Sequence, residues 1–136
     1  MTTRLTHLAL LAALLCGGIH ATQAAPLTQA EQQAATATVT GYLESLISGD
    51  IPRLRAHLSP EFRQKRAGLL DRQDYLQNLQ TTYANAGYAI LDMGRPDDGT
   101  DDLWVDARLT LASGEAVNIR FRLAAAGGRY LIMEEY

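Results

Sequence analysis

GYLESLISGDIPRLRAHLSPEFR, residues 41–63, is an amphipathic run that stops twice, at Gly49-Asp50 and at Ser59-Pro60. Gly49 can take the left-handed backbone that ends a helix with little strain. Asp50 then offers a carboxylate to the free N–H groups of a new helix. Ser59-Pro60-Glu61 repeats the device: a cap, a proline whose φ suits the first turn, and an acid at the positive end of the helix dipole. The expectation is a long helix, a short one carrying Ile51, Leu54 and Leu58 on its buried edge, and a further helical start at Ser59.

Upstream, Thr28 and Glu31 have the spacing of a capping box. The helix they open places Ala35, Val39, Tyr42, Leu43, Leu46 and Ile47 in one stripe of 3.6-residue period. Downstream, Asp71 and Asp74 mark the start of a third helix with the stripe Tyr75, Leu76, Leu79 and Tyr83, closed by Gly87. From Tyr88 the period changes to two. YAILDM, LWVDARLTL, AVNIRFRL and RYLIMEEY read as antiparallel strands joined by GRPDDGTDD, ASGE and AAAGG. The expected fold class is α+β: three N-terminal helices packed on a curved antiparallel β-sheet.

The first 24 residues have a different character. Arg4 precedes LALLAALLCGGI, residues 8–19, and small residues follow at Thr22 and Ala24, the pattern of a cleaved signal peptide. Cleavage is expected after Ala24 or Ala25, with release to the periplasm of a bacterium or beyond. Cys16 raises lipid attachment, but Leu15 stands where a small residue is wanted. The apolar run is shorter than the roughly 20 residues that span a bilayer, so no stable membrane insertion is expected after cleavage.

Residues 25–136 then form a single domain, long enough to bury a core without staples. It has no cysteine and one histidine, His57. Cysteine-based metal sites, thiol nucleophiles and multi-histidine sites are excluded, and no cofactor is called for. Without Arg4 the balance is 11 Lys and Arg against 15 Asp and Glu, which is no footprint for nucleic acid. DDGTDD, residues 97–102, lacks the spacing and closing Glu of a calcium loop and reads as a solvated hairpin.

The order of elements from Thr28 to Tyr136, with GYLESLISGDIPRLRAHLSPEF at its centre, resembles the nuclear transport factor 2-like superfamily, the cone-shaped α+β fold. That resemblance implies an internal pocket between helices and sheet. It also admits three kinds of activity. The leading expectation is a domain that binds a small apolar molecule or a protein partner without catalysis. The alternatives are an isomerase, dehydratase or hydrolase working through a pocket carboxylate, and an immunity or secretion-accessory interaction protein.

The pocket candidates are Tyr42, Tyr83 and Asp92. The strand YAILDM has two nearly equal apolar phases, so Asp92 enters the pocket only if Tyr88 and Ile90 face inward. Asp106 and Arg108 share the outward phase of their strand, and Asp106 is expected to pair with Arg120 or Arg122. Trp104 shares that phase and is the candidate anchor of a homodimer through the sheet.

Overall fold

The computed structural model describes residues 25–136. The leader read at residues 1–24, with His7, Cys16 and His20, lies outside the described residues. Four helices precede a four-stranded sheet among the described residues: α1 Gln29–Ser48, α2 Ile51–Ala56, α3 Pro60–Leu70, α4 Gln73–Tyr83, then β1 Gly87–Gly94, β2 Leu103–Thr110, β3 Ala116–Ala126 and β4 Arg129–Glu135. The sheet is an antiparallel meander in the order β1-β2-β3-β4.

The capping box is formed: Glu31 N–H donates to the Thr28 hydroxyl, and Thr28 N–H to the Glu31 carboxylate. Gly49 ends α1 in the left-handed region, with φ 74°. Asp50 caps α2 by accepting from Arg53 N–H, and Ser59 caps α3 by accepting from Phe62 N–H. The double stop is therefore scaffold, as its chemistry suggests.

Four details depart from the sequence expectation. The helices number four, because the start at Ser59 opens a complete helix of 11 residues, Pro60–Leu70, beyond the three expected. Asp71 ends that helix instead of opening the next, and α4 begins after Arg72 with no side-chain cap. Gly87 does not close α4; Ala84 does, and Gly87 is the first residue of β1. The AAAGG turn contracts to Gly127-Gly128, both with positive φ, as a two-residue hairpin requires.

The core lies between α1 and the helix-facing side of the sheet. Val39, Tyr42, Leu43 and Leu46 of α1 meet Leu103, Val105, Ala107 and Leu109 of β2 and Phe121 and Leu123 of β3. Leu54, Leu58, Phe62 and Leu70 close one side. Backbone after α2 also pairs with β4, where Ile132 N–H donates to His57 C=O and Ser59 N–H to Ile132 C=O. That contact covers part of the β4 edge, which would otherwise present open hydrogen-bonding groups.

Two β-bulges interrupt the pairing. On β1 the register slips between Ile90 and Asp92, leaving Leu91 as the extra residue. On β4 it slips opposite Arg122 and Leu123, leaving Met133 as the extra residue. Side chains alternate along a strand, so one inserted residue moves everything beyond it to the other face.

Candidate functional site

The first bulge settles Asp92. Tyr88 and Ile90 do face inward, opposite Leu109 and Ala107, which is the condition set for Asp92 to join them. Leu91 then bulges out, half exposed, and Met93 takes the inward position opposite Val105. Asp92 is exposed opposite Asp106, and its carboxylate accepts from Met93 N–H. It is not a pocket residue.

The second bulge brings in an acid that the sequence reading missed. Ile132 is inward opposite Leu123, so plain alternation would turn Glu134 inward. With Met133 extruded, Glu135 pairs with the fully buried Phe121 and faces the helices, while Glu134 pairs with Arg122 on the outer face.

Glu135 is the centre of a polar node at the open end of the core. One oxygen accepts from the Tyr42 hydroxyl, and the other from Arg66 Nη2 at 2.7 Å. Tyr42 reaches it from α1, 3% exposed, with its ring edge-on to Phe121 at 5.6 Å. Arg66 reaches it from α3, its guanidinium 4.7 Å from the centre of the Phe62 ring one helical turn earlier. Burial, and next the Glu135 charge, push the Tyr42 phenol well above its usual range. It therefore donates and stays neutral.

Helix α4 packs against α1 and α3 beside this node. Tyr75, Leu76, Leu79 and Tyr83 pack against the core, yet no residue of α4 is fully buried. Tyr83 is half-buried, and burial followed by the Glu135 charge raises its phenol pKa. Tyr42 bonds Glu135, Tyr83 packs against the same core from α4, and the acid at the node is Glu135, not Asp92. The two side chains at the solvent edge are Glu135, 18% exposed, and Arg66, 28% exposed.

The outer face of the sheet carries ion pairs. Arg120 forks onto Asp106 at 2.7 and 2.8 Å, as expected for one of the two arginines. Arg122 goes instead to Asp98 and Asp102, pinning the 97–102 loop that was read as merely solvated. The Thr100 hydroxyl and Arg122 hold the Asp98 carboxyl at about 2. Trp104 is half-buried; Arg120 lies 4.4 Å above its ring, and a Cβ on Gly94 would fall 2.5 Å from the ring edge.

Near the start of the domain, Arg95 clasps Glu31 through both carboxylate oxygens and donates to Ala25 C=O. Among the described residues no cluster of three or more His, Cys, Asp or Glu is placed to hold a metal ion. No described helix is long and apolar enough to cross a membrane.

No protein-family model matches this chain, and none of the curated proteins matches its sequence. Solved structures do share its fold. A protein of unknown function with a cystatin-like fold from Nostoc punctiforme superposes with a TM-score of 0.59 at 12% identity, over 82% of this chain and 92% of that one. An NTF2-like protein of unknown function from Cytophaga hutchinsonii gives 0.42 at 12% identity, over 73% and 85%. A phospholipid-binding protein from Ralstonia solanacearum gives 0.44 at 14% identity, over 76% and 75%. The first establishes the fold alone, a helix-covered antiparallel sheet of the cystatin-like kind; the other two superpose too loosely to carry an argument.

Proposed function

We infer that this chain is an exported binding domain of the nuclear transport factor 2-like kind that holds a small, largely apolar molecule against α4 without catalysis. The observation that carries the reading is the Tyr42–Glu135–Arg66 node beside a helix whose apolar stripe is only half-buried. Apolar side chains next to a few convergent polar groups are the usual composition of a small-molecule site. The node offers no unengaged polar side chain for acid–base work: Glu135 accepts from the Tyr42 hydroxyl on one oxygen and from Arg66 on the other.

The test is titration of the protein with an uncharged fluorescent apolar reporter, N-phenyl-1-naphthylamine, followed by tyrosine ring resonances. Saturable binding that shifts Tyr75 and Tyr83, and that Leu79→Asp abolishes, is expected. A response that is unsaturable or unchanged in Leu79→Asp overturns the reading. Export is tested separately by N-terminal sequencing, which should begin at Ala25 or Pro26. A homodimer through the sheet would have to use the half-exposed Leu91 beside a Trp104 already covered by Arg120. Sedimentation at high micromolar concentration decides it, since a monomer there removes the idea.

A further inference from the structure

The proposed site already contains a cation, and that cation belongs to the protein. Arg66 fills a place floored by Glu135 and walled by the Phe62 ring, with the Tyr42 hydroxyl on the other oxygen of the same carboxylate. Carboxylate and aromatic faces together are what an organic cation selects. The two charged members of the node are not equally fixed. Glu135 sits on a paired strand residue, close to its backbone, and keeps its bond to the buried Tyr42 whatever Arg66 does. Arg66 hangs on a long side chain from α3, a helix with only Phe62 and Leu70 buried, and it makes one contact with the carboxylate. The movable partner is the arginine. Its departure leaves a Tyr42-bonded carboxylate without its cation, 18% exposed and beside the Phe62 ring, which is costly until another cation arrives.

We propose that the node is a socket for the cationic end of a small ligand, an amine, guanidinium or quaternary ammonium, and that Arg66 is the internal surrogate that occupies it when the site is empty. This rests on the binding reading above and names the chemistry of the ligand's polar end. The apolar remainder would lie along Tyr75, Leu76, Leu79 and Tyr83. An intramolecular cation competes at high effective concentration, so the native chain discriminates against weak cations and removing Arg66 should unmask the socket.

The experiment uses methylguanidinium and tetramethylammonium chloride as probes and sodium methanesulfonate as the anionic control. Arg66→Ala should bind at least one cation about tenfold or more tightly than the native chain, and the bound cation should restore part of the lost Tm. The double variant Arg66→Ala with Glu135→Gln should show neither effect. Equal affinity in native and Arg66→Ala chains, rescue that survives Glu135→Gln, or rescue by methanesulfonate would each overturn the proposal. Should Arg66→Ala fail to fold, Arg66→Met, which keeps an unbranched side chain over Phe62 without the charge, takes its place, and the same outcomes support or overturn the socket. The reporter titration stands apart from this. Reporter binding without cation rescue sinks the socket alone, and cation rescue without reporter binding sinks the apolar site alone.

Discussion

Deleting Leu91 should leave this fold standing, although the residue lies in the middle of a β-strand. Leu91 is the extra residue of the β1 bulge and is half exposed. Without it, Ile90 inward, Asp92 outward and Met93 inward follow in plain alternation, so every remaining side chain keeps the face it has now. The change removes one partly exposed leucine and some local twist, and we expect a loss of about 1 kcal/mol or less, the range of a surface substitution. Deleting Arg120 is the control. β3 pairs with β2 without a bulge, so the deletion throws Phe121 and Leu123, both fully buried, onto the outer face and turns Arg122 inward. Exposing the two apolar side chains costs roughly 1.5–3 kcal/mol each, before the penalty for a buried arginine. The sum rivals the whole stability of a small domain. Urea unfolding reads both variants through the single tryptophan, Trp104, which lies against Gly94 at the end of β1 and reports directly on that pairing. A Leu91 deletion that unfolds the protein, or that costs as much as the Arg120 deletion, would refute the reasoning about the bulge.

Three further outcomes are expected. Tyr42→Phe removes a buried donor to an ionised carboxylate and should lower stability by about 1.5–3 kcal/mol in urea unfolding, with little change in circular dichroism. Gly41→Ala places a methyl 2.5 Å from His57 Nε2 and should destabilise the native chain. In a His57→Ala background the same change should stabilise by up to about 1 kcal/mol, because only the helix preference for alanine remains. His57 is held below its ordinary pKa of 6.5 by burial and then by Arg53 and Arg129, so the unfolded chain takes up its proton first as pH falls. Its contribution is therefore complete above pH 6.5 and is lost as pH falls through 6.5 towards the lowered folded value; thermal unfolding should show that dependence weakened in His57→Asn.

Much of the helical half was legible because its signals are local. A capping box, a left-handed glycine and an Asx or Ser cap act over three or four residues, and Thr28, Gly49, Asp50 and Ser59 all do what their chemistry implies. Helix α3 was undercounted for an equally physical reason. PEFRQKRAGLL buries only Phe62 and Leu70, so it carries almost no apolar period, and the helix is held by its caps and by Arg66. The strands were legible as strands, and β2 alternates as read. Strand register is a different kind of information. It depends on which partner residue faces which, and a single extruded residue leaves no composition signal.

Register governed the candidate site, and the two bulges act in opposite senses. One turns Asp92 out; the other turns Glu135 in. Energetics favours the acid that the fold admits. Asp92 inward would have faced Leu109, Ala107 and Val105 from β1, with no cation of β2 on that face, and a buried carboxylate without partners is among the costliest groups a core can hold. Glu135 arrives opposite Phe121 with a tyrosine hydroxyl on one oxygen and an arginine on the other. A signal was present in principle: Arg66 is the one residue of the stretch Arg53–Arg72 whose carboxylate partner comes from the sheet, whereas Arg53, Arg55 and Arg72 pair with acids of the helical half. A helix cation spaced i, i+4 from an aromatic, with no acid three or four residues away on its own helix, is free to pair with a carboxylate of another element. The terminal pair Glu134-Glu135 offered the two nearest choices in β4. Deciding between them required the bulge at Met133, which gives Glu135 the Tyr42 hydroxyl and Arg66 on the helix side and leaves Glu134 opposite Arg122 on the outer face.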